Sequence, residues 1–599
     1  MGKDNFFDVT WLPTTVKEVE FLGWDEIDVI LISGDAYVDH PSFGTSVIAR
    51  IIENEGFKVA IVPQPNWKDD LRDFKKFGRP KYFFGVTAGN MDSMVNHYTA
   101  AKRLRSNDAY TPGGKSGFRP NYPTIVYTQI LKKLFPDVPV VLGGIEASMR
   151  RLTHYDYWKN KVEPSILVSG GADMLIYGMG EQPIRELMRS LALGTLFAEL
   201  KTIPQTAVVL NRGDSLPEQK EWNDVVLHSF EQCRDNKKFF SDNFIKFEKE
   251  SNKLNAGRLI EAVGDKLVVV NPPFTPMTEA EIDNVYDLSF KYRPHPRYNK
   301  KEAIPAYEMI KFSVNIHRGC FGGCSFCAIA AHQGKRIVSR SEKSIIKEVE
   351  ALVVHPDFKG YISDLGGPSA NMYGMESNDL RKCQTCSRSS CIWPSVCNNV
   401  KTDHKRIIRL YNEVDKIEGV KKTFIGSGVR YDLLFSECNK NAGKNEEAYL
   451  RELITNHVSG RLKVAPEHTS AEVLTEMRKP PFELFKKLKS KFDHITNAKG
   501  LNFELIPYFI SSYPGCSDED MKTLAREIKT LNIKPEQVQD FTPTPMTLAT
   551  TMFYTGFNPY TGKKVFVARS VDEKRKQKDY FFWWNNKRFD KNNKSGRIR

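Results

Sequence analysis

The sequence predicts an α/β protein of two parts, an N-terminal doubly wound sheet over residues 1–195 and a partial (β/α)6 barrel over residues 306–568. Two observations predict it. Short β-branched runs recur along the chain, several of them ending at or near glycine, with helical patterns between, and this alternation occurs twice with a mixed stretch between. A chain of 599 residues also exceeds the length at which one hydrophobic core usually stops growing.

In the first part the run 28–33 ends at Gly34, and Val47, Ile48, Ile51 and Ile52 then fall at helical spacing. Strand signals follow at 59–62, 82–86, 138–142 and 174–177. The turns Gly143-Gly144 and Gly178-Met179-Gly180 lie at strand ends, where doubly wound sheets bind ligands and where tight turns need glycine in any case. Residues 196–305, with strand-like 207–210 and 267–270 and the break Asn271-Pro272-Pro273, read as a connecting region. Beyond residue 306, strand candidates at 309–316, 360–363, 422–425, 460–464, 502–508 and 538–541 supply the six units of the barrel. Residues 569–599 read as a basic, disordered tail, with ten Lys/Arg against four Asp/Glu from 572 onward.

Hydrophobic residues make up 40% and charged residues 27%, the composition of an ordinary folded protein, and the formal charge is +14. The N-terminus has no apolar signal core and no apolar run approaches the ~18 residues that span a bilayer, so a cytoplasmic protein without a membrane partner is expected. Seven of the ten cysteines lie between Cys320 and Cys397. Clustered thiols in a reducing compartment point to metal ligation rather than disulfides.

The strand at 309–316 runs into a glycine-rich loop, residues 317–327, that spaces Cys320, Cys324 and Cys327 as C-x3-C-x2-C. A zinc ribbon pairs two CxxC knuckles and a ferredoxin run supplies four cysteines; neither fits. Three thiolates can instead hold three irons of a [4Fe–4S] cube and leave the fourth open. The spacing resembles the motif of the radical S-adenosylmethionine (SAM) superfamily. That resemblance implies SAM on the open iron and reductive cleavage to a 5′-deoxyadenosyl radical, with an electron donor of flavodoxin or ferredoxin type. Phe326, beside the last cysteine, is placed to pack on the adenine. Gly366 and Gly367, in Asp364-Leu365-Gly366-Gly367-Pro368, resemble the superfamily's Gly-Gly-Glu; proline replaces the glutamate, which leaves backbone carbonyls to receive the SAM amino group. Arg430 and Glu467, after the third and fourth barrel strands, are placed to meet the SAM ribose and carboxylate, with a structural role for each left open.

Cys383, Cys386, Cys391 and Cys397 form a second thiol group that could enclose zinc or another iron–sulfur cluster. Asp39-His40-Pro41-Ser42-Phe43-Gly44 is similar to the cobalamin motif Asp-x-His-x-x-Gly, but the spacing is off, so cobalamin is not favoured although the first domain resembles a Rossmann-like, cobalamin-binding fold. Stretches 89–98, 144–151 and 464–468, taken with the cysteine insertion 381–404, resemble the YgiQ-type radical SAM family from about Trp11 to Arg569. The resemblance implies a radical SAM enzyme without specifying its substrate. RNA or protein is one candidate, because Trp583 and Trp584 near Lys587 and Arg588 combine stacking and basic groups. A non-catalytic iron–sulfur or zinc scaffold, or a nucleic-acid-binding protein, is the alternative.

Overall fold

A computed structural model describes residues 10–218, 221–437, 439–440, 443–536, 538–582 and 584. The first part is a nine-stranded sheet built on β1 (Val29–Ser33), β2 (Val59–Pro63), β3 (Phe83–Thr87), β4 (Val140–Gly143) and β5 (Met174–Ile176), which run parallel in the order β2-β1-β3-β4-β5. Both faces of these strands are covered, which is why they read as continuous apolar runs. Alternate residues of β1 enter different cores. Val29 and Leu31 pack with helices Gly44–Asn54 and Glu181–Ala192, while Ile30 and Ile32 join Tyr127 and Leu131 of helix Pro123–Leu134.

The expected connecting region is instead part of this sheet. Strands β6 (Thr206–Asn211), β7 (Asp224–Val226), β8 (Arg258–Val263) and β9 (Lys266–Val270) extend it beyond β5 in the order β5-β6-β9-β8-β7, through antiparallel pairings of β6, β9 and β8. Glu261 on β8 is buried and accepts a hydrogen bond from the Thr153 amide at 2.8 Å. Burial lifts its carboxyl from 4.5 to about 7. Because the folded value is the higher one, the protonated group's stabilisation is complete below pH 4.5 and lost as pH rises through about 7. In chemical denaturation, moving from pH 5 to pH 8 should therefore shift the balance by roughly 2 kcal/mol in favour of Glu261→Gln over the wild type.

In the second part six strand units run parallel in chain order. Ser313–Asn315 pairs with Asp364–Gly366, Tyr361–Ile362 with Lys422–Thr423, and Arg461–Glu467, Glu504–Ser511 and Val538–Asp540 form a three-stranded piece. These pieces do not join into one closed sheet. The strand expected at 309–316 shrinks to Ser313–Asn315, because Pro305 opens a short helix, Pro305–Ile310, in front of it. Nor is the start of the expected tail disordered. Val571–Asp579 is a helix with a Ser570 capping box, and Gln577, fully buried, accepts from the Ser512 amide and donates to the Cys516 carbonyl. Trp583, Lys587 and Arg588 lie outside the described residues. Among the described residues no helix is long and apolar enough to cross a membrane.

Candidate active site

The cysteine loop follows the strand Ser313–Asn315 and the two-residue pairing of His317–Arg318 with Val338–Ser339, and it ends in a short helix, Ile329–His332. Glycine is required twice within it. Gly319 has φ +82° and a side chain there would meet the Arg336 carbonyl, while Gly323 has φ +60° and is pressed against the Ser389 carbonyl of the cysteine insertion. The insertion therefore packs directly on the loop.

Arg430 reaches the thiols from the far side. Its Nη1 donates to Cys324 Sγ at 3.2 Å, and its Nε and Nη2 grip Asp432 at 3.0 and 2.6 Å. A methyl group on Gly322 would lie 2.9 Å from Arg430 Nη1 and 3.2 Å from Cys320 Sγ, so the guanidinium also adjoins Cys320. Burial pushes the Cys327 thiol up to about 12, with Cys324 and Cys320 adding to the rise; the Cys320 thiol is raised by burial against the pull of Arg430. Such thiols ionise when a metal takes the place of the proton. Among the described residues no group of three or more His, Cys, Asp or Glu side chains is placed to hold a metal ion. An iron–sulfur cube meets its thiolates at separate corners, and three thiols on one glycine-bent loop beside a cation fit that donor set.

Gly366 and Gly367 are close-approach positions rather than plain turns. A Cβ on Gly366 would come within 2.6 Å of Ser427 Oγ, and one on Gly367 within 2.5 Å of His317 Cε1. Asp364 organises the neighbouring turn by accepting from the Gly426 and Ser427 amides and the Ser427 hydroxyl. Glu467 sits at φ +68° at a register shift between the strands, buried beside Lys479 at 3.7 Å. Phe326 packs edge-on against Tyr513, ring centres 6.3 Å apart.

The sequence did not single out His317 or Asp432. His317 is buried, neither ring nitrogen has a partner among the described residues, and burial lowers it to about 3, which keeps it neutral. Its place three residues before Cys320 was the only available signal. The expected second metal site at Cys383, Cys386, Cys391 and Cys397, for zinc or another iron–sulfur cluster, is not supported among the described residues. Cys383 Sγ is engaged by Ser377 and Asn399, each at 3.3 Å, whereas Cys391 and Cys397 pack with Phe321, Met372 and Cys320 in an apolar cluster.

A cavity of about 570 Å³ separates the cysteine loop from the N-terminal sheet. Thr87, Gly143 and Gly144 at the strand ends, Gly44 at a helix start, and His317 and His332 from the loop side line it. In a 2-1-3-4-5 sheet this is the topological switch point, where ligands bind.

Residues 11–313 match the family described as radical SAM N-terminal, and residues 536–592 match a domain of unknown function. With the loop geometry, this makes the chain an enzyme of the radical SAM type. A UPF0313 protein of Bacteroides thetaiotaomicron is 60% identical over 96% of this chain and 94% of its own length, and the UPF0313 protein YgiQ of Escherichia coli K12 is 43% identical over 96% and 84%. The chain belongs to the YgiQ-type UPF0313 family of radical SAM proteins. Among solved structures, the radical SAM methyltransferase TsrM from Kitasatospora setae, with cobalamin and a [4Fe–4S] cluster bound, shares 14% identity over 93% of this chain and 88% of its own, with a TM-score of 0.49.

Proposed function

We propose that Cys320, Cys324 and Cys327 hold a [4Fe–4S] cluster, that Gly366, Gly367, Phe326 and Arg430 help to hold SAM beside it, and that the substrate occupies the 570 Å³ cavity. When bound, the cluster and SAM supply a 5′-deoxyadenosyl radical, which takes a hydrogen atom from the substrate. The observation that carries this reading is the placement of three half-buried thiols on one loop, with the Arg430 N–H aimed at Cys324. Arg430 keeps a positive charge against a thiolate, and Asp432 fixes the guanidinium plane so that Nη1 stays on sulfur. His317, neutral and packed on Gly367, closes the loop toward the cavity without adding charge. Phe326, beside Cys327, packs edge-on against Tyr513.

A small donor of flavodoxin or ferredoxin type would supply the electron. Cobalamin remains an alternative occupant of the cavity, supported by the cavity's place at the strand ends. His40 would not be its axial ligand: it packs edge-on against Tyr292, its Nδ1 accepts from the Ser42 amide, and it does not line the cavity. SAM added to the reduced, reconstituted protein should change the cluster's EPR signal. An unchanged signal at saturating SAM would count against an open iron.

A further inference from the structure

Seven arginines are buried in the described part of the molecule, and six have a carboxylate partner. Arg50 pairs with Asp39, Arg119 with Asp35 and Asp108, Arg150 with Asp92, Arg258 with Asp224, Arg340 with Glu348, and Arg478 with Glu248. Arg151 has none. It is 3% exposed, its Nε lacks any hydrogen-bond partner, and among the described residues no carboxylate lies within ion-pair distance. A buried charge without a counterion is a standing destabilisation, which a protein tolerates where a ligand supplies the missing charge.

The guanidinium is nevertheless held in place. It lies between the Tyr177 and Phe247 rings, 4.4 and 4.9 Å from their centres, and Nη1 donates to the Ser148 carbonyl and approaches Met546 Sδ at 3.8 Å. Two aromatic faces fix its plane and leave its unpartnered edge for a planar or tetrahedral anion. Arg151 lines a cleft of about 120 Å³ that it shares with His332, Lys335 and Arg336. Neither Lys335 nor Arg336 has a carboxylate partner among the described residues; Lys335 donates to the Arg388 carbonyl, and Arg336 to Ser377 and the Cys383 carbonyl. One carboxylate, Glu250, also lines the cleft, and it is already engaged by Lys253 at 2.6 Å and the Gly257 amide at 2.9 Å. The cleft is thus positive. His332 also lines the 570 Å³ cavity, and the Phe247 and Met546 that hold Arg151 line a small pocket with Cys324 and Cys327.

We propose that Arg151 anchors an oxyanion of the substrate, a carboxylate or a phosphate, in the cleft between the strand ends and the cysteine loop. The proposal rests on the radical SAM reading for what the anion belongs to, and not for the binding itself. The guanidinium edge would give two parallel N–H···O bonds, Lys335 and Arg336 the surrounding charge, and the substrate body would extend toward the thiols.

The test is a thermal-denaturation titration of reconstituted protein with potassium phosphate and, separately, potassium acetate, each against potassium chloride at matched ionic strength. At least one should raise the Tm of the wild type along a saturating curve, and the one that does so identifies the group. Arg151→Met should weaken that response roughly 100-fold, the loss expected for a buried charge-assisted pair. Arg526→Met, which removes an exposed arginine, should keep it. Without added anion Arg151→Met should melt no lower than the wild type, since it removes an unpaired buried charge. A wild type that responds to neither anion beyond chloride would overturn the proposal, whether or not the variant folds; so would an Arg151→Met protein that responds like the wild type. No turnover enters this measurement, so a failed titration leaves the radical SAM reading standing, and absent SAM cleavage leaves the anion site standing.

Discussion

Alanine at Cys320, Cys324 or Cys327 is expected to remove the four-iron cluster and, with it, all formation of 5′-deoxyadenosine from SAM. Three thiolates serve four irons, so none can be lost without exposing a second iron. Cys391 and Cys397 are packed in the apolar cluster behind Cys320, and Cys383 is engaged by Ser377 and Asn399. Iron content, the cluster's absorbance and the nucleoside product should fall together to background. Secondary structure should stay close to wild type, because the loop is held from outside by backbone contacts, including the Cys391 amide on the Phe321 carbonyl and the Ser325 amide on the Met477 carbonyl. Alanine at Cys233, which is buried far along the chain beside Asn243, should leave iron content and product unchanged.

Replacing Arg119 by Met is expected to produce the largest loss of stability, about 3–5 kcal/mol, the usual result of stripping the partner from a buried charge. Arg119 holds Asp108 through two bonds at 2.9 and 3.0 Å, Asp35 at 2.9 Å and the Ala88 carbonyl at 2.8 Å, all out of water. Asp35 in turn accepts from the Asn90 amide at 2.7 Å and so shapes the strand-end turn that lines the cavity. Burial already raises the Asp35 carboxyl from 3.8 to about 6 with Arg119 pulling the other way, so removing Arg119 lifts it further. A folded value raised above the unfolded one favours the folded state as pH falls. Urea denaturation should therefore show the Arg119→Met deficit largest above pH 6 and shrinking toward pH 4. An equal deficit at both ends would mean that the carboxylates are not what the arginine stabilises.

The strands β1 to β5 were legible because parallel strands buried on both faces are short, contiguous apolar runs, most of them ending at or near glycine, and each lies within about two residues of its expected place. The extension β6 to β9 was not legible as part of the same sheet. Its hairpin pairing of Arg258–Val263 with Lys266–Val270 is local, but its attachment to Met174–Ile176 through Thr206–Asn211 joins segments whose pairing no periodicity announces. The docked helix Val571–Asp579 was hidden by its composition, since the side chains it buries are Lys574 and Gln577, residues that in a sequence read as solvated. Lys574 donates to the Tyr157 hydroxyl, a contact across more than 400 positions.

At the site, the three cysteines announced themselves by spacing, as did Gly366 and Gly367 by motif. Arg430 was placed by its position after the third strand to meet the SAM ribose and carboxylate; its contact with Cys324 was not foreseen. Arg150 and Arg151 are adjacent and identical in type. One is neutralised by Asp92 and the other by no carboxylate among the described residues, a difference that depends on which carboxylates the fold brings near and so lies outside any local pattern.

The central claim, that this loop makes a SAM-cleaving centre, is tested most directly by incubating dithionite-reduced, reconstituted wild-type protein with SAM and quantifying 5′-deoxyadenosine. The account predicts slow release of the nucleoside even without substrate, dependent on reductant. Protein carrying a full four-iron cluster that forms no 5′-deoxyadenosine and binds no SAM would contradict it, and would turn the reading toward a cluster-bearing scaffold.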